Sequence, residues 1–238
     1  RKTRLVDRYI DQFNSQVPAE YDVKFMLNEG GGGTVPGMAA GTTLRNHQMA
    51  AVFRAVIEKR GLLAHEVGLG KTLAMIASAS ELKRMGIARK PAIAVPKKVL
   101  PAFANTVRSV FPLLKFHVVD SRDAAKRNTT MSQVATNDYD LVLMTHDNLD
   151  MLKMRPEFEA EMLQTELDEI NAVYYAMAAE KGKDSSSKRI LKQIENRRAK
   201  LEAKIQDALK SERKDDTITF EDTGIDFLFV DEFHKYKS

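Results

Sequence analysis

Ala64-His65-Glu66-Val67-Gly68-Leu69-Gly70-Lys71-Thr72 decides the reading of this chain. A short apolar segment, Gly61-Leu62-Leu63, precedes it, and Leu73-Ala74-Met75-Ile76-Ala77 follows. The order predicts a strand over 61–66, a glycine-bearing loop, and a helix over 71–84. A loop of this kind turns backbone N–H groups toward a phosphate chain and aims a helix N-terminus at it. Gly68 and Gly70 let the backbone come close without a Cβ in the way. Lys71 is placed to reach β- and γ-phosphates, and the Thr72 hydroxyl to ligate Mg²⁺. The general signature has a glycine five residues before Gly70, where this chain has His65. Two lookalikes fail. A zinc-protease motif needs a second His where Leu69 stands, and a dinucleotide fingerprint needs a third Gly where Leu73 stands.

Outward from the loop, apolar runs alternate with helical patterns. Helices are expected over 46–59 and 98–110. Strands are expected at Pro91–Pro96, Lys115–Val119, Asp140–Thr145 and Phe227–Val230. Near-continuous apolar strands between helices indicate an α/β fold, a parallel sheet with helices on both faces. Residues 1–28 read as a short helix with a polar tail, and 29–37, rich in glycine, as a flexible linker.

Residues 155–216 break the rhythm. Leu163, Leu167, Ile170, Tyr174 and Met177 repeat at fours and threes. The pattern resumes after a Gly/Ser turn at 181–187, with Leu191, Ile194, Arg198, Leu201, Ile205 and Ala208. This is an antiparallel helical hairpin with heptad seams. Residues 156–180 carry seven acids and no Lys or Arg, whereas 187–214 carry ten bases and four acids. Interhelical ion pairs that set the register are the simpler reading, and a partner-binding or DNA-sensing face is the other. Arg198 interrupts its seam, so its stem packs while its head reaches solvent or a carboxylate.

The 238 residues include no cysteine, which excludes a disulfide framework and a thiolate metal site and suits a reducing compartment. No apolar stretch is long enough to span a bilayer, so no membrane partner is expected. A net charge of +4 permits nucleic-acid binding without arguing for it. Because the chain begins with Arg1, it is expected to be part of a longer protein or a processed product.

Phe227-Leu228-Phe229-Val230-Asp231-Glu232 is an apolar strand ending in two acids. A parallel strand near the phosphate loop would carry Asp231 to the metal and leave Glu232 to polarise an attacking water. The residues alone leave two other classes open: a P-loop NTPase that does not act on nucleic acid, and a non-catalytic interaction module built on a vestigial motor lobe.

With His234, the end of that strand reads Asp-Glu-Phe-His and resembles the second motif of superfamily II helicases and translocases. Further motifs fall into order around it. Leu44-Arg45-Asn46-His47-Gln48 resembles the segment whose Gln reads the adenine edge. Ala94-Val95-Pro96-Lys97 resembles a motif that grips a nucleic-acid strand. Leu143-Met144-Thr145-His146 resembles the next strand-contacting motif. His65 to Thr72 is similar to the phosphate loop of the Swi/Snf-like branch, which also carries a helical protrusion between these motifs. Phe13-Asn14, Tyr21-Asp22, Pro36-Gly37-Met38 and Phe220-Glu221 resemble large bacterial, plasmid and phage proteins that join such a motor to an adenine-specific DNA methyltransferase. Phe233 departs from the second group's usual Ala, and Asn46 from a frequent Pro.

The resemblance implies a P-loop, RecA-like first lobe over 44–154 and 217–238, with 1–43 ahead of it and the hairpin inserted at 155–216. It implies an ATP-hydrolysing DNA translocase or helicase. ATP would lie on His65, Glu66, Val67, Gly68, Leu69, Gly70, Lys71 and Thr72, with Gln48 selecting adenine. Thr72 and Asp231 would hold Mg²⁺. Lys71, Asp231 and Glu232 would be catalytic, His234 would couple the nucleotide to the DNA path, and Pro96, Lys97 and Thr145 would face the nucleic acid. The implied partners are duplex DNA, a second RecA-like lobe of the same full-length protein, and a methyltransferase domain or other subunit. The implied place is the cytoplasm or nucleoid of a bacterial or phage-infected cell.

Overall fold

The computed structural model describes residues 32–64, 66, 68–121, 123–179, 185–210 and 218–236. The helix expected over 1–28 lies outside them, as do His65 and Val67. Two compact units emerge. One holds the described residues up to Ala88 together with Pro101–Lys115; the other holds Arg89–Leu100 and the described residues from Phe116 onward.

In the first unit, β1 (Gly32–Gly33) pairs antiparallel with β2 (Leu44–Arg45). The expectation of a flexible linker over 29–37 is thus corrected for 32–37. Val35 is buried, and a Cβ on Gly32 would lie 3.3 Å from the Leu44 carbonyl oxygen, so a side chain there would crowd the pairing. Helix α1 (Asn46–Glu58) follows directly and ends where Lys59 turns left-handed at φ 55°, its N–H reaching the Ala55 carbonyl. Helix α2 (Lys71–Arg84) is rich in Ala and Ser, and every residue from Ala74 to Leu82 is buried. Small side chains let neighbours approach that closely. The buried Glu81 carboxylate is met by both arms of the Arg84 guanidinium at 2.9 and 2.8 Å. The Glu81 pair holds Arg84 protonated above its ordinary range.

The strand expected over 61–66 does not form among the described residues. Gly61-Leu62-Leu63-Ala64-His65-Glu66 contains no β-branched residue, Gly61 takes φ 156°, and Leu62 is 65% exposed. A run that buries neither face has no packing to hold it extended.

In the second unit, β3 (Pro91–Val95), β4 (Phe116–Val119), β5 (Leu141–Thr145) and β6 (Phe227–Val230) form one parallel sheet in the order β4-β5-β3-β6. Every residue of β3 and β5 is buried, so both faces of the middle of the sheet are covered, as their unbroken apolar runs require. The parallel α/β class read from the sequence is therefore the observed one. After β3 the chain enters helix α3 (Leu100–Val110), whose residues from Pro101 onward belong to the first unit. Helix α4 (Ala124–Thr136) connects β4 to β5, and its Met131 and Val134 join Ala92, Ala94, Val119, Val142, Met144 and Ile225 in the core. A short helix, α5 (His146–Asp150), leaves β5 at once.

The hairpin is α6 (Pro156–Ala179) and α7 (Ser185–Lys210), and it has its own apolar seam of Ala160, Leu167, Leu201, Ile205 and Ala208. Among the described residues one ion pair crosses it, Arg197 to Glu166 at 2.7 Å, and both side chains are largely exposed. Arg198 is half-buried and has an aromatic partner that the spacing did not signal. Its guanidinium lies 4.8 Å from the Tyr174 ring centre, a cation–π seat inside the seam. At the base, the Arg155 N–H donates to both Glu221 carboxylate oxygens, and the Phe220 N–H to the Lys153 carbonyl. Helix α8 (Phe220–Thr223) then leads into β6, and a 3₁₀ turn, Phe233–Tyr236, follows it.

Candidate functional site

The loop expected to hold phosphate ends on Gly70, which takes φ 74° and accepts the N–H groups of Leu73 and Ala74 to open α2. Only glycine suits this position. Its left-handed backbone disfavours a Cβ, and a Cβ would lie 2.3 Å from Gln48 Nε2. Gln48 is buried and fully engaged. Its carbonyl accepts the Arg45 N–H at 2.8 Å, and its amide donates to the Leu69 and Gly70 carbonyls at 3.3 and 3.1 Å. His47, which sequence reasoning passed over, lies 2.9 Å from the Leu69 carbonyl through Nε2. Its only sequence signal is adjacency to Gln48 at the start of α1. The first turn of α1 therefore grips the loop backbone. Lys71 Nζ donates to the Glu66 carbonyl at 3.3 Å, and Thr72 sits half-buried one residue on. Glu66 and Gly68 are exposed.

The strand ends of the second unit form a separate group. The register sets Val95 beside Thr145 and Ala94 beside Val230, and the Asp231 N–H donates to the Ala94 carbonyl at 2.9 Å, extending the ladder by one bond. Pro96, Thr145 and Asp231 thus lie at the carboxyl edge of three adjacent parallel strands, the edge where open α/β sheets bind ligands. Lys97 is half-exposed there and pairs with Asp120 at 3.1 Å. Thr145 is buried. Its hydroxyl accepts the Asn148 N–H at 3.2 Å and the Asn148 amide at 2.6 Å, so it serves as the N-cap of α5.

Glu232 takes φ 52°, a left-handed backbone for a non-glycine residue, and such strain gathers at functional sites. Its carboxylate meets His234 Nδ1 at 3.0 Å, and both side chains are largely exposed. Just beyond, Asp150 of α5 accepts from Lys235 Nζ at 2.6 Å and from the Tyr236 hydroxyl at 2.8 Å. Burial works to raise the Asp150 carboxyl. The bonds from Lys235 and Tyr236, with the nearby Lys235 and His146 charges, outweigh it and hold the group below its ordinary value. Tyr236 is pushed well above the usual phenol range, by burial first and by Asp150 second.

Among the described residues no group of three or more His, Asp or Glu side chains could hold a metal by itself. A Mg²⁺ bound mainly through phosphate oxygens and water needs no such group. No described helix is long and apolar enough to cross a membrane.

The family described as "Probable helicase domain" matches residues 55–238. No curated protein matches. Among solved structures, the chain is similar to the Sulfolobus solfataricus SWI2/SNF2 ATPase core in complex with dsDNA. Identity is 27% over 47% of this chain and 23% of that chain, with a TM-score of 0.37. The chain thus spans less than a quarter of that structure's length.

Proposed function

The chain belongs to the family of probable helicase domains, and from that premise we propose that it is the ATP-binding first motor lobe of a superfamily II, Swi/Snf-like translocase that couples ATP hydrolysis to movement on duplex DNA. One observation carries the reading. Three neighbouring strand ends bring a Pro-Lys pair, a Thr and an Asp-Glu pair to one edge of a parallel sheet. A chain that must relate nucleotide chemistry to a strand of phosphates needs both groups on rigid, adjacent elements.

The roles follow from side-chain chemistry. Lys71 would neutralise charge on the β- and γ-phosphates, while N–H groups at the start of α2 cradle them. Thr72 and Asp231 would hold Mg²⁺, which when bound offsets charge on the phosphate oxygens. The Glu232 carboxylate would accept a hydrogen bond from water in line with the γ-phosphorus. His234, already on Glu232, would report that state toward the sheet edge. Gln48 would select adenine after releasing the Leu69 and Gly70 carbonyls. Lys97, after parting from Asp120, would contact backbone phosphate, with Pro96 and Thr145 shaping that edge. A second RecA-like lobe would complete the site. Duplex DNA, and a methyltransferase domain or further subunit of a bacterial or phage protein, belong to the same proposal.

The test is ATP hydrolysis by the full-length protein with and without duplex DNA. Lys71→Ala is expected to abolish the duplex-stimulated rate, and Glu232→Gln to lower it by about a hundredfold or more while ATP still binds. Hydrolysis indifferent to duplex would instead favour a P-loop NTPase without a nucleic-acid role. Activity untouched by Glu232→Gln would favour the non-catalytic module.

A further inference from the structure

Strands β5 and β6 are not neighbours; β3 lies between them. Their ends are nonetheless tied together beyond the sheet. The segment leaving β6 runs Asp231-Glu232-Phe233-His234-Lys235-Tyr236, and the segment leaving β5 is α5. Both carboxylate oxygens of Asp150 are used: Oδ2 by Lys235 Nζ and Oδ1 by the Tyr236 hydroxyl. The Tyr236 ring stands edge-on to the buried His146 ring, with centres 5.5 Å apart. The Lys235 N–H in turn donates to the Glu232 carbonyl at 3.1 Å.

We propose that Asp150 is a positioning residue that links the Glu232–His234 turn to the Thr145 end of β5, so that duplex engaged at that end changes the setting of Glu232. The inference rests on the motor-lobe reading above.

The physical path is continuous and short. Thr145 caps α5 through its buried hydroxyl, so a shift at the strand end moves the helix that carries Asp150. Asp150 grips two successive residues of the turn, and the first of these is bonded to the Glu232 backbone. Glu232 holds a left-handed conformation that survives only where its surroundings over-determine it. The Asp150 clamp ties the turn that follows Glu232 to α5, and so carries a shift of that helix to it. An ion pair this exposed adds little to stability. What it adds is geometry: two donors converging on one carboxylate fix the turn in one orientation against α5. Asp147, on the same helix, stands 3.9 Å from Lys235 and cannot do the same.

The experiment measures ATP hydrolysis by the full-length protein without DNA and with saturating duplex, and duplex affinity by anisotropy. Asp150→Ala is expected to cut the duplex stimulation by at least about fivefold, the low end of ordinary site-to-site coupling. The unstimulated rate and the duplex Kd should stay within about twofold. Lys235→Ala should behave alike, Tyr236→Phe should lose less, and Asp147→Ala should match the parent. The double variant Asp150→Ala/Lys235→Ala should lose no more than the worse single one, because both remove one device. Stimulation within about twofold of the parent in Asp150→Ala would overturn the proposal. So would additive losses, or an unstimulated rate falling by the same factor as the stimulated one. Should Asp150→Ala fold poorly, Lys235→Ala, expected to lose as much, decides the matter by the same readouts. A parent protein that duplex does not stimulate would sink the motor-lobe reading along with this one; a stimulated parent with an indifferent Asp150→Ala sinks this one alone.

Discussion

The two chemical motifs of this chain rest on differently built backbones. The acidic pair stands on β6, whose residues pair with β3 and whose ladder continues through the Asp231 N–H. The glycine loop proposed to hold phosphate follows a lead-in that joins no strand among the described residues, and it is held by side chains instead, through His47 and Gln48 on its carbonyls. A ladder fixes position through successive backbone bonds, and it ties β6, an edge strand whose residues are all at least partly exposed, to the fully buried β3. A side-chain grip uses a few bonds that a ligand offering better partners can replace. On the motor-lobe reading, the acids would keep their place while a bound nucleotide would rearrange the loop.

The largest effect should fall on the sheet. Ile93 is fully buried in β3, between Leu143 and Phe229 of the flanking strands. Ile93→Ala removes its packing on both sides and should destabilise by about 2–5 kcal/mol, read as a lowered urea midpoint. A loss under about 1 kcal/mol would mean that this strand is not the rigid element that presents Pro96 and Lys97. Next comes the loop. Gly70→Ala puts a non-glycine residue at φ 74° and a Cβ against Gln48. The left-handed backbone alone costs about 1–2 kcal/mol. Nucleotide affinity, by fluorescence titration, should fall by about tenfold or more.

The contrast explains what could be read from the sequence. Ala92–Val95 and Leu141–Thr145 are legible because a strand buried on both faces has no polar gaps. The hairpin is legible because its seam repeats over many turns. Helix α4 has no such signature. Ala124–Thr136 buries only Met131 and Val134, and its Thr129, Thr130, Ser132 and Thr136 hydroxyls turn back on carbonyls four residues earlier. Its start is set by the Asp123 carboxylate on the Lys126 N–H at 2.9 Å. The lead-in at 61–66 is the opposite case, an apolar run without the burial that makes a strand. In the site, the residue types around the phosphate loop and the acidic strand end are visible in the chain. The grip of Gln48 on the loop, the burial of Thr145 as a cap and the Asp150 clamp are set by tertiary approach, which spacing does not encode.

A third prediction uses pH to separate the hairpin base from the rest of its unit. The Asp222 carboxylate accepts from the Thr219 hydroxyl at 2.7 Å and backbone N–H at 3.0 Å, and pairs with Arg155. The Thr219 hydroxyl first, then Arg155, hold its carboxyl far below the usual range. A depressed carboxylate stabilises the fold above its unfolded value near 3.9. That stability is lost as pH falls from there toward the folded value. With its exposure taken into account, the contribution is about 1 kcal/mol. Asp222→Asn should remove it at neutral pH and flatten the decline below about pH 4 in urea unfolding. His117, held low by burial, loses stability over a different window, as pH falls below about 6.5, so the two declines are separable.

The smallest effect should come from the lead-in, and it tests the comparison most directly. Leu62 is 65% exposed, next to Gly61 at φ 156° and over no strand neighbour among the described residues. Leu62→Ser removes an apolar side chain that is mostly in water already, so the urea midpoint should move by less than about 0.5 kcal/mol equivalent. The same substitution in a strand packed on both faces would cost several times more. Leu62→Ser should also leave nucleotide affinity unchanged, because the loop is held by His47 and Gln48 and not by its lead-in. A loss near that of Ile93→Ala would mean that 61–66 is a packed strand in the working protein. The two motifs would then share one rigid sheet, and the division between a fixed acidic end and a rearrangeable loop would not stand.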